Sequence, residues 1–180
     1  MNETQSNRLE WIRSAMDEYQ GRLIRFAARI TGDTDTARDV VQDTFLRLCR
    51  EDPSKTRDHL APWLFRVCRN RALDVRGKEA PLTPLDDATV ATLDGTAEHP
   101  MAALETNDVI RRILALLGSL PANQREVLRL RFQEELSYKE ISAVTSHSVG
   151  NVGFLIHNGL KTLRQRLAPV RTEEGGRNHA

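Results

Sequence analysis

Ser137-Tyr138-Lys139-Glu140-Ile141-Ser142-Ala143-Val144-Thr145-Ser146-His147-Ser148-Val149-Gly150-Asn151-Val152 is the stretch on which the fold turns. Ser137 followed three residues later by Glu140 fits a capping box, in which the hydroxyl and the carboxylate each satisfy an N–H left over at a helix start. A short helix holding Ile141 and Val144 follows, and Thr145-Ser146-His147 supplies a turn. Ser148 caps a longer helix whose inner positions are Val149, Val152, Ile156, Leu160, Leu163 and Leu167. Short capped helix, tight turn and longer helix together make a helix-turn-helix pattern. The hydroxyls and imidazole of Thr145–Ser148 resemble a nucleophile and base, but turn and cap chemistry explains them, and no acid or oxyanion partner stands nearby.

Upstream of this motif, Pro121 starts a helix with Val127, Leu128 and Phe132 inward. Before it, Leu104, Ile110, Ile113, Leu114 and Leu117 outline another helix, ended by Gly118. Residues 104–170 thus form one helical lobe, and 171–180 a polar tail. The segment 79–103 carries Pro81, Pro84, Gly95 and Pro100 and has no helical period, so it reads as a flexible linker. A first lobe, 1–78, precedes it. Leu9, Ile12, Met16, Tyr19, Leu23, Phe26 and Ile30 recur at steps of three and four, one apolar stripe on a long helix that Gly32 ends. Asp33 or Asp35 can cap a second helix with Ala37, Val41, Phe45 and Leu48 on one face, running to about Arg50. A polar loop, Glu51–Leu60, leads to a third helix with Pro62 in its first turn, Leu64, Cys68, Ala72 and Val75 inward, and Gly77 closing it. The expected fold is all-α: two small helical domains joined by a flexible acidic linker, the second with a helix-turn-helix.

The bulk numbers agree with that reading and remove other classes. Of 180 residues, 39% are apolar and 28% charged, enough for packed cores and too few charges for wholesale disorder. No apolar run is long enough to span a bilayer, and the N-terminus is polar, so the expectation is a cytoplasmic chain without membrane insertion. Cys49 and Cys68 sit within helical patterns as small core residues; no metal-ligand spacing, cofactor motif or phosphate loop is present. The formal net charge of +1 conceals a pattern: residues 1–78 hold 15 Lys/Arg against 12 Asp/Glu, 79–106 hold six acids and no Lys or Arg, and 107–180 hold 11 Lys/Arg against seven acids. Two basic lobes flank an acidic connector, which suits a polyanion partner for the lobes and keeps the connector off DNA.

Three stretches now bear a family resemblance. Asp35-Thr-Ala-Arg-Asp39-Val-Val-Gln42-Asp43-Thr-Phe45-Leu-Arg47-Leu48 resembles the polymerase-binding helix of sigma factors of the sigma-seventy family. Pro62-Trp63-Leu64-Phe65-Arg66-Val-Cys-Arg69-Asn70-Arg-Ala-Leu-Asp74-Val-Arg76 resembles their promoter-melting helix, and Leu120 through Leu167 their C-terminal DNA-binding domain. The order is the family's, and the absence of its other domains points to the extracytoplasmic-function (ECF) class. The resemblance implies a non-enzymatic subunit that binds core RNA polymerase and directs initiation at promoter DNA by recognising the minus-ten and minus-thirty-five elements, and an anti-sigma protein as regulator. The alternative is a helix-turn-helix regulator that is not a polymerase subunit.

Candidate residues follow for each stretch. Asp39, Gln42, Asp43, Leu46 and Arg47 leave the core face of the second helix; by resemblance they meet the coiled-coil clamp of the largest polymerase subunit, although an Asp43–Arg47 pair on a solvated face would read the same way. Trp63, Arg66, Arg69, Asn70, Arg76 and Lys78 combine cations, an amide and an aromatic, the groups that hold unpaired minus-ten bases, with the loop Glu51–Ala61 shaping a pocket for a flipped base. At least one of Trp63 and Phe65 belongs to the core. For the minus-thirty-five element the candidates are Ser137, Ser148, Asn151, Phe154, His157, Asn158 and Lys161. Here the sequence departs from the family, which commonly places Lys and Arg where this chain has Gly153 and Leu155. Gly150, Gly153 and Gly159 each cost the helix about 1 kcal/mol relative to Ala. Phe154 and Leu155 can face either DNA or protein.

Overall fold

The structure, a computed structural model, describes residues 3–78 and 115–167, and every regular element among them is helical. α1 (Glu3–Thr31) buries Ile12, Leu23 and Phe26 from the expected stripe, while Leu9 and Met16 are exposed. The buried positions beside the stripe go instead to Ala15, Ala27 and Ala28, small residues that let neighbouring helices approach. Gly32 ends α1 at φ 78°, a left-handed conformation that glycine adopts without a Cβ penalty. Asp33 caps α2 (Thr34–Leu48): its carboxylate accepts from the Thr36 N–H at 2.6 Å, and this bond holds the acid below its usual pKa.

The segment expected as a loop is largely helical. Asp52 accepts from the Ser54 N–H at 3.0 Å and caps α3 (Pro53–Thr56), with Pro53 at the position where a missing N–H is harmless. A 3-10 turn, Arg57–His59, then feeds α4 (Leu60–Lys78), and Gly77 lies inside that helix rather than closing it. α1, α2 and α4 pack on one another, with Phe26 and Phe65 edge to face at 5.2 Å between ring centres. Cys68 is fully buried, and burial pushes its thiol up to about 12. Cys49, expected in the core, is exposed because α2 stops one residue before it.

In the second lobe a helical turn at 115–118 leads through Pro121 into α5 (Ala122–Phe132). α5 buries Val127, Leu128 and Leu130, whereas Phe132, expected inward, is 60% exposed. The chain folds back after α5, with the Leu136 N–H donating to the Leu130 carbonyl, which centres the inner face on Val127 and Leu130. α6 (Tyr138–Thr145) and α7 (Val149–Leu167) complete the lobe. Val149 and Leu167, also expected inward, lie exposed at the two ends of α7; Leu155 and Gly159 take inner places beside Val152 and Ile156. A Cβ on Gly159 would stand 2.8 Å from Leu128 Cδ1, so the glycine gives the end of the Leu128 side chain its place between α5 and α7.

The two lobes pack together through α4 and α6, and their buried residues form one continuous cluster. The linker 79–103, the helix expected around Leu104, Ile110, Ile113 and Leu114, and the tail 171–180 lie outside the described residues. No helix among the described residues is long and apolar enough to cross a membrane.

Candidate polymerase and nucleic-acid interfaces

α2 buries Ala37, Val40, Val41, Thr44, Phe45 and Leu48, and helical geometry turns what remains outward. Asp39, Gln42, Leu46 and Arg47 are all exposed, with Leu46 at 51% a lone apolar group among polar ones. Asp43 is half-buried, and its partner is Arg71 of α4, whose Nε donates to the carboxylate at 2.8 Å, rather than Arg47. The outer face of α2 thus offers an acid, an amide, a leucine and an arginine on a helix fixed from behind by α1 and α4.

The second set, on α4, is divided by the helical period. Arg66 and Asn70, four residues apart, point together into an open hollow of about 510 Å³ that Arg47, Arg50, Glu51, Trp63 and Val67 also line. Arg50 was not among the sequence candidates. It joins the hollow because α2 ends beside α4, a long-range placement that its position three residues after Arg47 does not reveal. Trp63 retains 8% of its surface and Phe65 none, so both belong to the core and Trp63 has little surface left on which a base could stack. On the other side of Trp63 a smaller hollow is shared with Lys139, Glu140 and Ala143 of the second lobe.

Arg69 and Arg76, seven residues apart, line a cleft of about 340 Å³ between the lobes, with Phe26, Leu73 and Arg125. Arg69 is already engaged there. Its Nε and Nη2 donate to the two carboxylate oxygens of Glu126 on α5, at 2.7 and 3.1 Å, and both side chains are 18% exposed. A second pair joins the lobes: Arg22 Nε donates to Glu134 at 2.7 Å, with that guanidinium also over the rings of Tyr19 and Phe65. Neither Glu126 nor Glu134 was a sequence candidate, and each meets its arginine across a long stretch of chain. Lys78 lies on a third side of α4, in a hollow shared with Asp39.

The third set is on α6 and α7. The Ser137 hydroxyl accepts from the Glu140 N–H at 3.3 Å, and Glu140 accepts from the Ser137 N–H at 2.8 Å, so the capping box is complete. The Ser137 hydroxyl bond, with the backbone N–H, holds the Glu140 carboxyl below its usual range. Ser146 takes the left-handed conformation at φ 61°, turning the chain, and Ser142 Oγ donates to the His147 carbonyl across the turn at 2.6 Å. Ser148 Oγ accepts from the Asn151 N–H at 3.2 Å, capping α7. The hydroxyls of Thr145 and Ser148 are thus spent on turn and cap bonds. Along α7, Asn151, Phe154, His157 and Lys161 are exposed and Asn158 is half-buried. Phe154 is 63% exposed and Leu155 5%, which places Leu155 in the lobe's own core and leaves Phe154 facing out.

An all-helical pair of lobes, the first with an exposed polar helix face beside a cationic hollow and the second with a capped helix-turn-helix, is the class of structure that suits a nucleic-acid-binding protein. Residues 15–80 match the family described as Sigma-70 region 2, and residues 110–163 match Sigma-70, region 4. The chain is 32% identical over 152 residues to the ECF RNA polymerase sigma factor SigM of Bacillus subtilis, covering 82% of this chain and 91% of that protein. It is 28% identical over 165 residues to SigW of the same organism, covering 84% and 86%. Against SigL of Mycobacterium tuberculosis it is 32% identical over 161 residues, covering 87% and 88%. The chain belongs to the ECF RNA polymerase sigma factors.

Proposed function

We propose that this chain binds core RNA polymerase through the outer face of α2 and directs initiation by engaging two promoter elements, without catalytic activity of its own. Asp39, Gln42, Asp43, Leu46 and Arg47 meet the coiled-coil clamp of the polymerase's largest subunit. Arg66, Asn70 and Trp63 hold unpaired bases of the minus-ten element, with Arg69, Arg76 and Lys78 on its phosphates. Asn151, Phe154, His157, Asn158 and Lys161 enter the major groove of the minus-thirty-five element, while Ser137 and Ser148 fix the two helix starts that aim them. Residues 1–78 and 104–170 act as the two DNA-engaging domains, with 79–103 connecting them. The protein acts in the cytoplasm, and an anti-sigma protein regulates it.

One observation carries this reading over that of a simple helix-turn-helix regulator. The first lobe displays an open cationic hollow with an amide in its wall, built from Arg47, Arg50, Arg66 and Asn70, beside the exposed acid–amide patch of α2. A protein that used only its second lobe has no use for either. In vitro transcription with purified core polymerase tests it: initiation at discrete starts that depend on the added chain is the expected result. Duplex binding without core, and no chain-dependent starts with it, would establish the regulator instead.

A further inference from the structure

We infer that the minus-thirty-five element is read through a thymine 5-methyl group, with Phe154 as the residue that contacts it and Asn151 reading an adjacent adenine. This rests on the proposed seating of α7 in the major groove. The outward side of α7 carries Gly150, Asn151, Phe154, His157 and then Lys161, with no Lys or Arg before Lys161. The reading end of the helix therefore lacks the cations that favour guanine through its O6 and N7 acceptors. In their place stands a phenyl group that is 63% exposed, although the next residue, Leu155, is packed away at 5%.

The ground around Phe154 is low. A Cβ on Gly150 would meet nothing within 4 Å, so the first turn of α7 presents bare backbone. A Cβ on Gly153 would stand 3.6 Å from Tyr138 Cε2, so the half-exposed tyrosine ring flanks the next turn without crowding it. A helix with bare backbone beside one projecting ring can approach the groove floor closely. A phenyl has no donor or acceptor, and the thymine methyl is the apolar feature that distinguishes one base pair from the others in the major groove. Asn151, three residues earlier on the same side, carries the amide that pairs with adenine N6 and N7.

The test uses the full chain with core polymerase and duplexes enriched by that holoenzyme from a randomised upstream element. Enrichment of an A·T-containing step is expected. The enriched duplex is then rebuilt with deoxyuridine for thymine, which removes only the methyl group. Wild-type holoenzyme should lose about fourfold in affinity, the weight of one methyl-sized apolar group. Phe154→Ala should bind more weakly throughout and be indifferent to the change, while Phe154→Leu should keep the discrimination. A 5-methylcytosine·guanine pair at the same position should recover part of the methyl-dependent affinity that unmethylated cytosine lacks, separating methyl contact from groove shape. Equal binding of thymine and uracil duplexes by the wild type overturns the inference, as does an equal loss in wild type and Phe154→Ala. If the chain enriches no sequence beyond those taken by core alone, the promoter-directing reading itself falls, and the inference with it.

Discussion

Arg69 is held on Glu126 through its Nε and Nη2, with its charge directed at that carboxylate, so Glu126→Gln should release it to a DNA phosphate. The pair is bidentate, at 2.7 and 3.1 Å, with each side chain 18% exposed, which leaves little room for water to weaken it. Hydrogen bonds to charged groups contribute about 1.5–3 kcal/mol each, and some of that is recovered when Arg69 is rehydrated. We take about 1.5–3 kcal/mol for the whole substitution, which shifts the balance between packed and separated lobes by about ten- to a hundredfold. Most helix packing lies within each lobe rather than between them, so helix content should not change. Trp63 supplies the signal: it is 8% exposed and borders a hollow shared with Lys139, Glu140 and Ala143 of the second lobe. In a Trp11→Phe background, acrylamide should quench Trp63 more readily after Glu126→Gln. Affinity for a single-stranded promoter oligonucleotide at fixed salt should rise severalfold, up to about tenfold. Arg69→Gln/Glu126→Gln should open equally and show no gain in affinity. Quenching and affinity both unchanged in Glu126→Gln would refute the argument, because the ion pair would then not be what holds Arg69 or the lobes.

Four further outcomes are expected. Gln42→Lys should weaken co-purification with core polymerase and leave thermal stability within about 0.5 kcal/mol, since Gln42 is exposed; adding Asp43→Lys should also lose up to about 1 kcal/mol through the partly exposed Arg71 pair. Gly159→Ala sets a helix-propensity gain of about 1 kcal/mol against displacement of Leu128 Cδ1, which the new Cβ would meet at 2.8 Å, so stability in urea should fall by no more than about 2 kcal/mol; a gain of the full ~1 kcal/mol would show that the α5–α7 contact is looser than this. Ser137→Ala should cost about 1 kcal/mol. Glu140 has a depressed folded pKa, so its stabilising share is fully present above its unfolded pKa and lost as pH falls through the folded one. The stability difference between wild type and Ser137→Ala should therefore shrink on acidification below the ordinary carboxylate range, and a constant difference down that range would count against the capping box. Asn70→Ala should impair promoter opening, read by permanganate reactivity, more than closed-complex affinity read by gel shift, because a duplex hides the base edge that the amide would meet.

What was legible in the sequence is what one helical turn decides. Ser137 and Glu140, Gly32 after α1 and Asp33 before α2 act on N–H and C=O groups three or four residues away, so spacing alone identifies them. The short helix at Pro53 belongs to the same class: Asp52-Pro53 is a cap followed by an N1 proline, a local signal that the surrounding polar residues obscured. Register at the helix ends was harder. Val127, Leu128 and Leu130 share the inner side of α5, and only the return of the chain, fixed by Leu136 on the Leu130 carbonyl, decides that Phe132 is left out. The site lies furthest from what spacing can tell. Arg66, Arg69, Asn70 and Arg76 form one basic run in the sequence, yet the helix period sends Arg66 and Asn70 to one hollow and Arg69 and Arg76 to another. Which of these arginines meets an acid depends on Glu126, which comes to α4 from a different lobe. Charge counting sees a net positive first lobe and a net positive second lobe and gives no reason for them to touch. The contact arises because the second lobe keeps two acids where the first has arginines, Glu126 for Arg69 and Glu134 for Arg22, so that the minority charges of one basic lobe meet two of the majority charges of the other.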